Sequence, residues 1–336
     1  MLNFDTDRFV RIQSGAVALA DRIDTIIGDC LTSGAKNVFF LGTGGAAILM
    51  QPAALLMNRR STFPAFLDVS AELILAGHKH LGPHSIVVIP SLSGTTKESI
   101  AAMAYCKQNG ATIISLIGHA GTPLAEADHA LVNFAEDDTS SESFYLQSLL
   151  VALSIMRQRG ECPDYARIVA ELKALPAVLV DVKAAFEARA EREAEAMRTE
   201  PYHIVTAAGS AWPQAFYYGM CILEEMQWIR TRPVHASDFF HGTLELVEPG
   251  VSVVLLKGED EARSLADRVE TFTKGYTDKF TVFDTADFAT PGISADTRAL
   301  ISPVLLATLL ERLSAHLEVK RDHPLTTRRY YKRVAY

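Results

Sequence analysis

From Lys36 onward, short runs rich in β-branched and aromatic residues alternate with stretches of helical pattern. Residues 38–41, 65–69, 86–89, 112–117 and 130–134 read as strands, and each of the four intervals between them can carry a crossover. Apolar residues fill these runs without period-two alternation, which marks strands covered on both faces, as in a parallel sheet wrapped by helices. Residues 141–198 read as wholly helical, broken near Cys162-Pro163 and Leu175-Pro176. After Pro201 the alternation resumes, with strands expected at 203–207, 233–236, 251–256 and 280–283. The expected fold class is therefore α/β, in two three-layer α/β/α domains with parallel sheets. Residues 1–35 form an N-terminal helical segment, 36–160 the first domain, 161–200 a helical connector, and 201–336 a second domain with a C-terminal tail.

One strand carries more than packing. The stretch Ile86-Val-Val-Ile-Pro-Ser-Leu-Ser-Gly-Thr-Thr-Lys-Glu98 runs from a buried-looking strand into small hydroxyl residues and then a helix. Ser91, Ser93, Thr95 and Thr96 surround Gly94, and the first N–H groups of the following helix have no partners within it, so a phosphate dianion would satisfy them. The competing reading is an ordinary capping box, Thr95-x-x-Glu98. Capping accounts for Thr95 and Glu98 but leaves Ser91 and Ser93 unexplained.

Two strand-to-turn starts, Val38-Phe-Phe-Leu-Gly-Thr-Gly-Gly45 and Ile204-Val-Thr-Ala-Ala-Gly-Ser210, hint at duplication. The second half lacks a counterpart of Ser-Leu-Ser-Gly-Thr-Thr, so one complete phosphate cradle is expected per chain. The turn Gly42-Thr-Gly-Gly-Ala-Ala lacks the third glycine of a dinucleotide fingerprint, which argues against a nucleotide cofactor.

Charge and cysteine usage narrow the field. A formal net charge of −8, with both signs interspersed, disfavours nucleic acid or an anionic membrane as partner, so an anionic ligand needs a local site. The four cysteines, Cys30, Cys106, Cys162 and Cys221, are scattered without a C-x-x-C pair and read as reduced core residues. No basic-then-apolar leader opens the sequence and no apolar run reaches the roughly 18 uncharged residues of a membrane span, so a cytoplasmic protein is expected.

A second place for chemistry is Leu223-Glu-Glu-Met-Gln-Trp228 followed by His235-Ala-Ser-Asp-Phe-Phe-His-Gly-Thr-Leu-Glu245. A carboxylate and a histidine commonly move protons at neutral pH. Periodicity does not separate Glu224 from Glu225, and His241 before Gly242 equally suits a structural hydrogen bond at a helix start.

From Val38 to Tyr336 the chain resembles the tandem sugar isomerase (SIS) domain family, most closely the fructosamine-6-phosphate deglycases of the fructoselysine-6-phosphate type. More distantly it resembles the isomerase half of glucosamine-6-phosphate synthase. Ser91-Leu-Ser-Gly-Thr-Thr96 resembles the family's phosphate loop, Glu225 and His241 its catalytic pair at the same spacing of sixteen, and Arg328-Arg-Tyr-Tyr331 the deglycase ending. Thr243 and Leu92 depart from the family pattern. The resemblance implies two SIS-type domains acting on a phosphorylated amino-sugar substrate. It places phosphate at Ser91, Ser93, Thr95 and Thr96 with help from Thr43 and Gly44, and catalysis at Glu225 and His241. Further substrate contacts are expected at Glu142, Arg328, Tyr331 and Lys332, although an acidic residue in a helix's first turn, such as Glu142, is also favourable through the helix dipole alone. No metal or other cofactor is called for. A homodimer with the active site where subunits meet is implied, and the glutaminase route to ammonia is not expected. Rival readings are an aldose–ketose isomerase, a glucosamine-6-phosphate deaminase and a non-catalytic phosphosugar sensor.

Overall fold

The structure is a computed structural model that describes residues 1–135, 140–331 and 333–335. The chain divides into two compact units, one of Asp5–Ala177 with Gly292–Thr297, the other of Met1–Phe4, Val178–Pro291 and Arg298–Tyr336.

The first unit opens with α1 (Thr6–Ala18), begun by Asp5, whose carboxylate accepts from the Arg8 N–H at 2.9 Å, and α2 (Ala20–Thr32). It continues through β1 (Asn37–Gly42), α3 (Gly44–Ile48), α4 (Gln51–Arg60), β2 (Ala65–Val69), α5 (Ser70–Ala76), β3 (Ser85–Ser91), α6 (Lys97–Gln108), β4 (Thr112–Ile117), β5 (His129–Val132) and α7 (Ser140–Gln158). The five strands are parallel in the order β2-β1-β3-β4-β5. Phe39, Leu41, Val87, Ile89, Ile113 and Ile117 face one way and bury against Leu73 of α5 and Ala102, Met103 and Cys106 of α6. The alternate positions, Val38, Phe40, Ile86, Val88 and Ile114, point to the opposite face and are as deeply buried. Helices α1, α2 and α4 all pack on α7. Covering both faces is what allows these strands to be continuously apolar, and each such side chain contributes roughly 1.5–3 kcal/mol on burial.

The helix α8 (Tyr165–Met197) follows a break at Cys162-Pro163 but runs straight through Pro176, where the sequence reading placed a second break. Proline removes one hydrogen bond and crowds the preceding turn. Here Leu172, Leu175, Leu179, Val182 and Phe186 are buried at helical spacing on both sides of it, and that burial outweighs the lost bond.

The second unit contains β6 (Tyr202–Ala207), α9 (Trp212–Tyr217), β7 (Arg230–His235), α10 (Ala236–Phe239), β8 (Ser252–Lys257), α11 (Arg263–Thr273), β9 (Phe280–Asp284) and most of α12 (Ala295–Lys320). Its strands are again parallel, in the order β7-β6-β8-β9. Strand β7 starts three residues before the expected 233 because Pro233 is tolerated on an edge strand, where its missing N–H faces away from the ladder. Ile204, Val234, Phe239, Val253, Leu255 and Val269 form the core on one face. By length and composition α12 could cross a membrane, yet 89% of its apolar window is buried inside the protein, so it is a core helix.

The N-terminal residues Met1–Phe4 are tied into this unit by a buried ionic network. Glu187 accepts from the Leu2 N–H at 2.7 Å and from Arg312 Nε at 2.7 Å, while Lys183 pairs with Glu311 at 2.7 Å. Burial alone would raise the Glu187 carboxyl, but the bonds from Arg312, Leu2 and His316 hold it down at about 2.

Candidate functional site

The strand order 2-1-3-4-5 of the first sheet reverses direction between β1 and β3, and ligands of open α/β sheets bind outside the carboxyl ends of the strands at such a point. Phe40 pairs with Val88, so continuing the register three residues sets Thr43 beside Ser91. Both predicted phosphate segments thus meet at the switch point.

The loop after β3 is folded around its own hydroxyls. Ser91 Oγ, on a side chain only 2% exposed, lies 3.0 Å from Thr96 Oγ1 and accepts from the Gly94 N–H at 3.2 Å. Ser93 Oγ accepts from the Thr95 hydroxyl at 3.0 Å and from the Thr95 N–H at 3.3 Å. Gly94 has φ +65°, and a Cβ there would lie 2.1 Å from Thr122 Oγ1, so only glycine fits. The capping-box reading does not survive: the residue before α6 is Thr96 rather than Thr95, and its side chain makes no capping bond. The N–H groups of the first turn of α6 are therefore left for an anion. Across the switch point, Thr43 precedes α3 without capping it, and its buried Oγ1 makes no hydrogen bond. Gly44 follows with φ +55°. An orphaned donor beside uncapped N–H groups is the arrangement a bound phosphate would complete.

Glu225 belongs to the second unit. The helix that begins at Trp212 widens into a π turn over Tyr218–Glu224, with the Glu225 N–H bonded to Met220 O at 3.1 Å, five residues back. Such turns recur at functional sites. The widening sends the two adjacent carboxylates to different fates. Glu224 is exposed and accepts from the Thr231 hydroxyl at 2.6 Å, whereas the half-buried Glu225 meets Arg328 Nε at 2.9 Å. Both line a cleft of about 770 Å³ with Tyr202, Trp228, Arg230, Arg328, Arg329 and Tyr331 among its walls. Arg328 and Tyr331, expected near the substrate, are thus brought to Glu225, with the guanidinium 6.0 Å from the Tyr331 ring.

The remaining predicted residues lie elsewhere. His241 is exposed just after α10, its N–H bonded to Asp238 O at 2.9 Å, and it is not among the residues lining the Glu225 cleft. Glu142, in the first turn of α7 in the first unit, is 1% exposed. Lys332 lies outside the described residues. Sequence reasoning missed Arg329, whose guanidinium stacks 3.9 Å over the Trp228 ring, and Arg230. The adjacent Arg328-Arg329 pair was the available signal for the former.

The second sheet has its own switch point between β6 and β8, and it is occupied by protein. The Asp260 carboxylate accepts from the Ser210 N–H at 2.6 Å and the Ala262 N–H at 3.0 Å, and Gly209, at φ +59°, leaves it room. Burial pushes the Cys30 thiol up to about 11 and those of Cys106 and Cys221 to about 12, so none is a nucleophile at neutral pH.

Comparison with known proteins places this geometry. Residues 32–157 match the SIS domain family. The chain is 29% identical over 327 residues to fructosamine deglycase FrlB of Bacillus subtilis, covering 96% of this chain and all of that protein. It is 26% identical over 309 residues to the fructoselysine 6-phosphate deglycase of Escherichia coli, covering 92% of this chain and 89% of that one. A solved Bacillus subtilis structure, provisionally assigned as a phosphosugar isomerase, matches with a TM-score of 0.89 at 29% identity, covering 96% of this chain and 99% of that chain. The domain match runs from the end of α2 to the end of α7, so the first unit carries an SIS domain, and the fold is shared with that solved structure over nearly the whole length.

Proposed function

We propose that this protein is a deglycase that hydrolyses a 6-phosphorylated fructosamine, the Amadori product of an amino acid, to glucose 6-phosphate and the free amine. The observation that carries the reading is Glu225, a half-buried carboxylate that lines a cleft and meets Arg328 Nε at 2.9 Å. Likeness to two named deglycases over nine-tenths of the chain supports the substrate class.

The substrate needs an anion cradle and a proton-transfer pair. Ser91, Ser93, Thr95, Thr96, Thr43 and the N–H groups near Gly44 and at the start of α6 serve the phosphate, and the uncapped helix start supports that role. His241 assists ring opening by proton transfer at the ring oxygen. Glu225 then removes a proton from C1 and returns it to C2 through an enaminol, turning the ketosamine into an aldose imine. Water adds to the imine carbon and the C–N bond breaks, releasing amine and aldose. Arg230 and Arg329 make no ion pair among the described residues and suit the carboxylate of an amino-acid leaving group. An exposed His241 outside the Glu225 cleft suits a homodimer in which each protomer lends its histidine to the other. The activity and charge balance suit a cytoplasmic enzyme.

The test is glucose 6-phosphate release from a panel of 6-phosphofructosyl amino acids by the wild type, Glu225→Gln and His241→Ala. Release by the wild type, reduced about 10²–10⁴-fold in each variant, is expected. Phosphosugar binding without release from any member of the panel would refute the deglycase and leave an isomerase, a deaminase or a sensor.

A further inference from the structure

We propose that the C-terminal segment from His323 to Tyr331 is a strap that sets the catalytic carboxylate, with Arg328 acting as the positioning residue for Glu225 and not as a contact to substrate. The inference rests on Glu225 being the base.

Three bonds fix the Arg328 guanidinium. Its Nε meets Glu225 Oε1 at 2.9 Å, and one terminal nitrogen donates to Leu325 O at 2.6 Å and Thr327 O at 2.9 Å. The side chain is 14% exposed, and its contacts are spent inward on the strap's own backbone and on the base. A planar fork held this way is pre-organised, so little entropy is lost in orienting the carboxylate.

The strap is fastened to the segment that carries Glu225 at several further points. Gln227 Nε2 donates to His323 O at 2.8 Å, Trp228 packs edge-on against His323 at 4.5 Å, and the Arg329 guanidinium lies 3.9 Å from the centre of the Trp228 ring. At its start, the Leu325 N–H donates to the Glu318 carboxylate of α12 at 2.9 Å, and a turn closes through Thr327 N–H and Pro324 O at 2.8 Å. Fastening is needed because the local backbone is irregular. Glu225 ends a π turn, and Trp228, three residues on, has φ +55°. A side chain on such a segment is aimed by what it touches rather than by a continuing helix.

The strap also supplies charge. Among the described residues, the titratable groups that share the cleft with Glu225 are Glu224 from the π turn, Tyr202 and Arg230 from the starts of β6 and β7, and Arg328, Arg329, Tyr330 and Tyr331 from the strap, with Cys221 of the π turn close enough to feel its charge. Glu224 is already taken up by Thr231. A guanidinium in contact favours the ionised carboxylate, so the base stays ready to accept a proton at lower pH than it would without the strap. Orientation and charge come from one residue and separate in its variants.

The experiment compares wild type, Arg328→Gln and Arg328→Lys by kcat, KM and the pH profile of kcat/KM, together with a 13C titration of the Glu225 carboxyl assigned through Glu225→Gln. In Arg328→Gln, kcat falls about 100-fold with KM within a few-fold, as expected for a misplaced catalytic group. The acid limb moves to higher pH, and the Glu225 titration moves with it. In Arg328→Lys, charge without the fork, the limb returns towards wild type while kcat stays low. A rise in KM at unchanged kcat would make Arg328 a substrate contact and overturn the proposal, as would an unmoved Glu225 titration in a folded variant. Because the titration needs no substrate, a wild type inactive on fructosamines whose Glu225 still responds to Arg328 would sink the deglycase and keep the strap.

Discussion

The carboxyl ends of β1 and β3 in the first unit, and of β6 and β8 in the second, share one backbone plan and carry opposite chemistry. Both lie at a reversal of strand order, and both have a glycine with positive φ two residues beyond the first strand, Gly44 in one and Gly209 in the other. After β3 the chain reads Ser91-Leu-Ser-Gly-Thr-Thr96; after β8 it reads Gly258-Glu-Asp-Glu261. In the first loop no side chain caps the start of α6, whereas the Asp260 carboxylate takes the N–H groups of Ser210 and Ala262 for itself. Glu259 beside it is held by Arg298 at 2.6 Å and by the Thr285 hydroxyl at 2.8 Å, so this loop is a finished structural joint. One fold thus presents the same dipoles twice, and the side chains decide whether they serve a ligand or the protein.

The sharpest way to break the contrast is to strip the first switch point. Ser91→Ala with Thr96→Val removes two hydroxyls from the cradle, and at about 1.5–3 kcal/mol for a hydrogen bond to a charged group, affinity for glucose 6-phosphate should fall about 10²–10⁴-fold by calorimetry. Unchanged affinity would move the phosphate site elsewhere.

The two sheets should also differ in acid. His203 of β6 stands where β1 has Val38, fully buried, with Nδ1 2.7 Å from Ser252 Oγ. Burial lowers it to about 4 from the ordinary 6.5. The unfolded chain therefore binds more protons between those values, so stability is complete above pH 6.5 and is lost as pH falls towards 4. Over that window the histidine accounts for about 3 kcal/mol. Denaturant titrations of wild type and His203→Val should show this step in the first and its absence in the second.

Removing the second unit's internal anion is expected to cost less. Asp260→Ala leaves two N–H groups unpaired, a loss of about 1–3 kcal/mol. Inorganic phosphate should restore part of the melting temperature in that variant even when Ser91→Ala is present. No rescue would mean that the acidic loop does not mirror the phosphate loop.

Thr43→Val is the mildest test. Its buried hydroxyl makes no hydrogen bond, so stability should hold or rise slightly, while phosphosugar affinity falls by about tenfold, the worth of one hydrogen bond. Full retention of affinity would exclude Thr43 from the cradle.

Much of this was legible along the chain because it depends on neighbours in sequence. Strand β4 begins and ends where the apolar run does, since a strand covered on both faces is built largely of apolar residues. The Ser91–Thr96 loop was legible as well, because hydroxyls around a glycine at a strand-to-helix turn are a local pattern. The choice between Glu224 and Glu225 was not. A π turn adds a residue to the helical repeat, so a wheel drawn at 3.6 residues per turn misplaces both. Pro176 misled for a related reason: its local cost is visible in sequence, but the burial of Leu172, Leu175 and Leu179 that offsets it is not.

By itself the sequence determined the α/β class, the two parallel sheets and the hydroxyl loop, because period, turn chemistry and capping act over a few residues. Only the tertiary structure decided that Asp260 fills the second switch point from 50 residues beyond Ser210. It alone decided that Arg328, more than a hundred residues away along the chain, comes into contact with Glu225. A charge finds its partner in space, and electrostatic contact depends on separation and burial, neither of which the order of residues records.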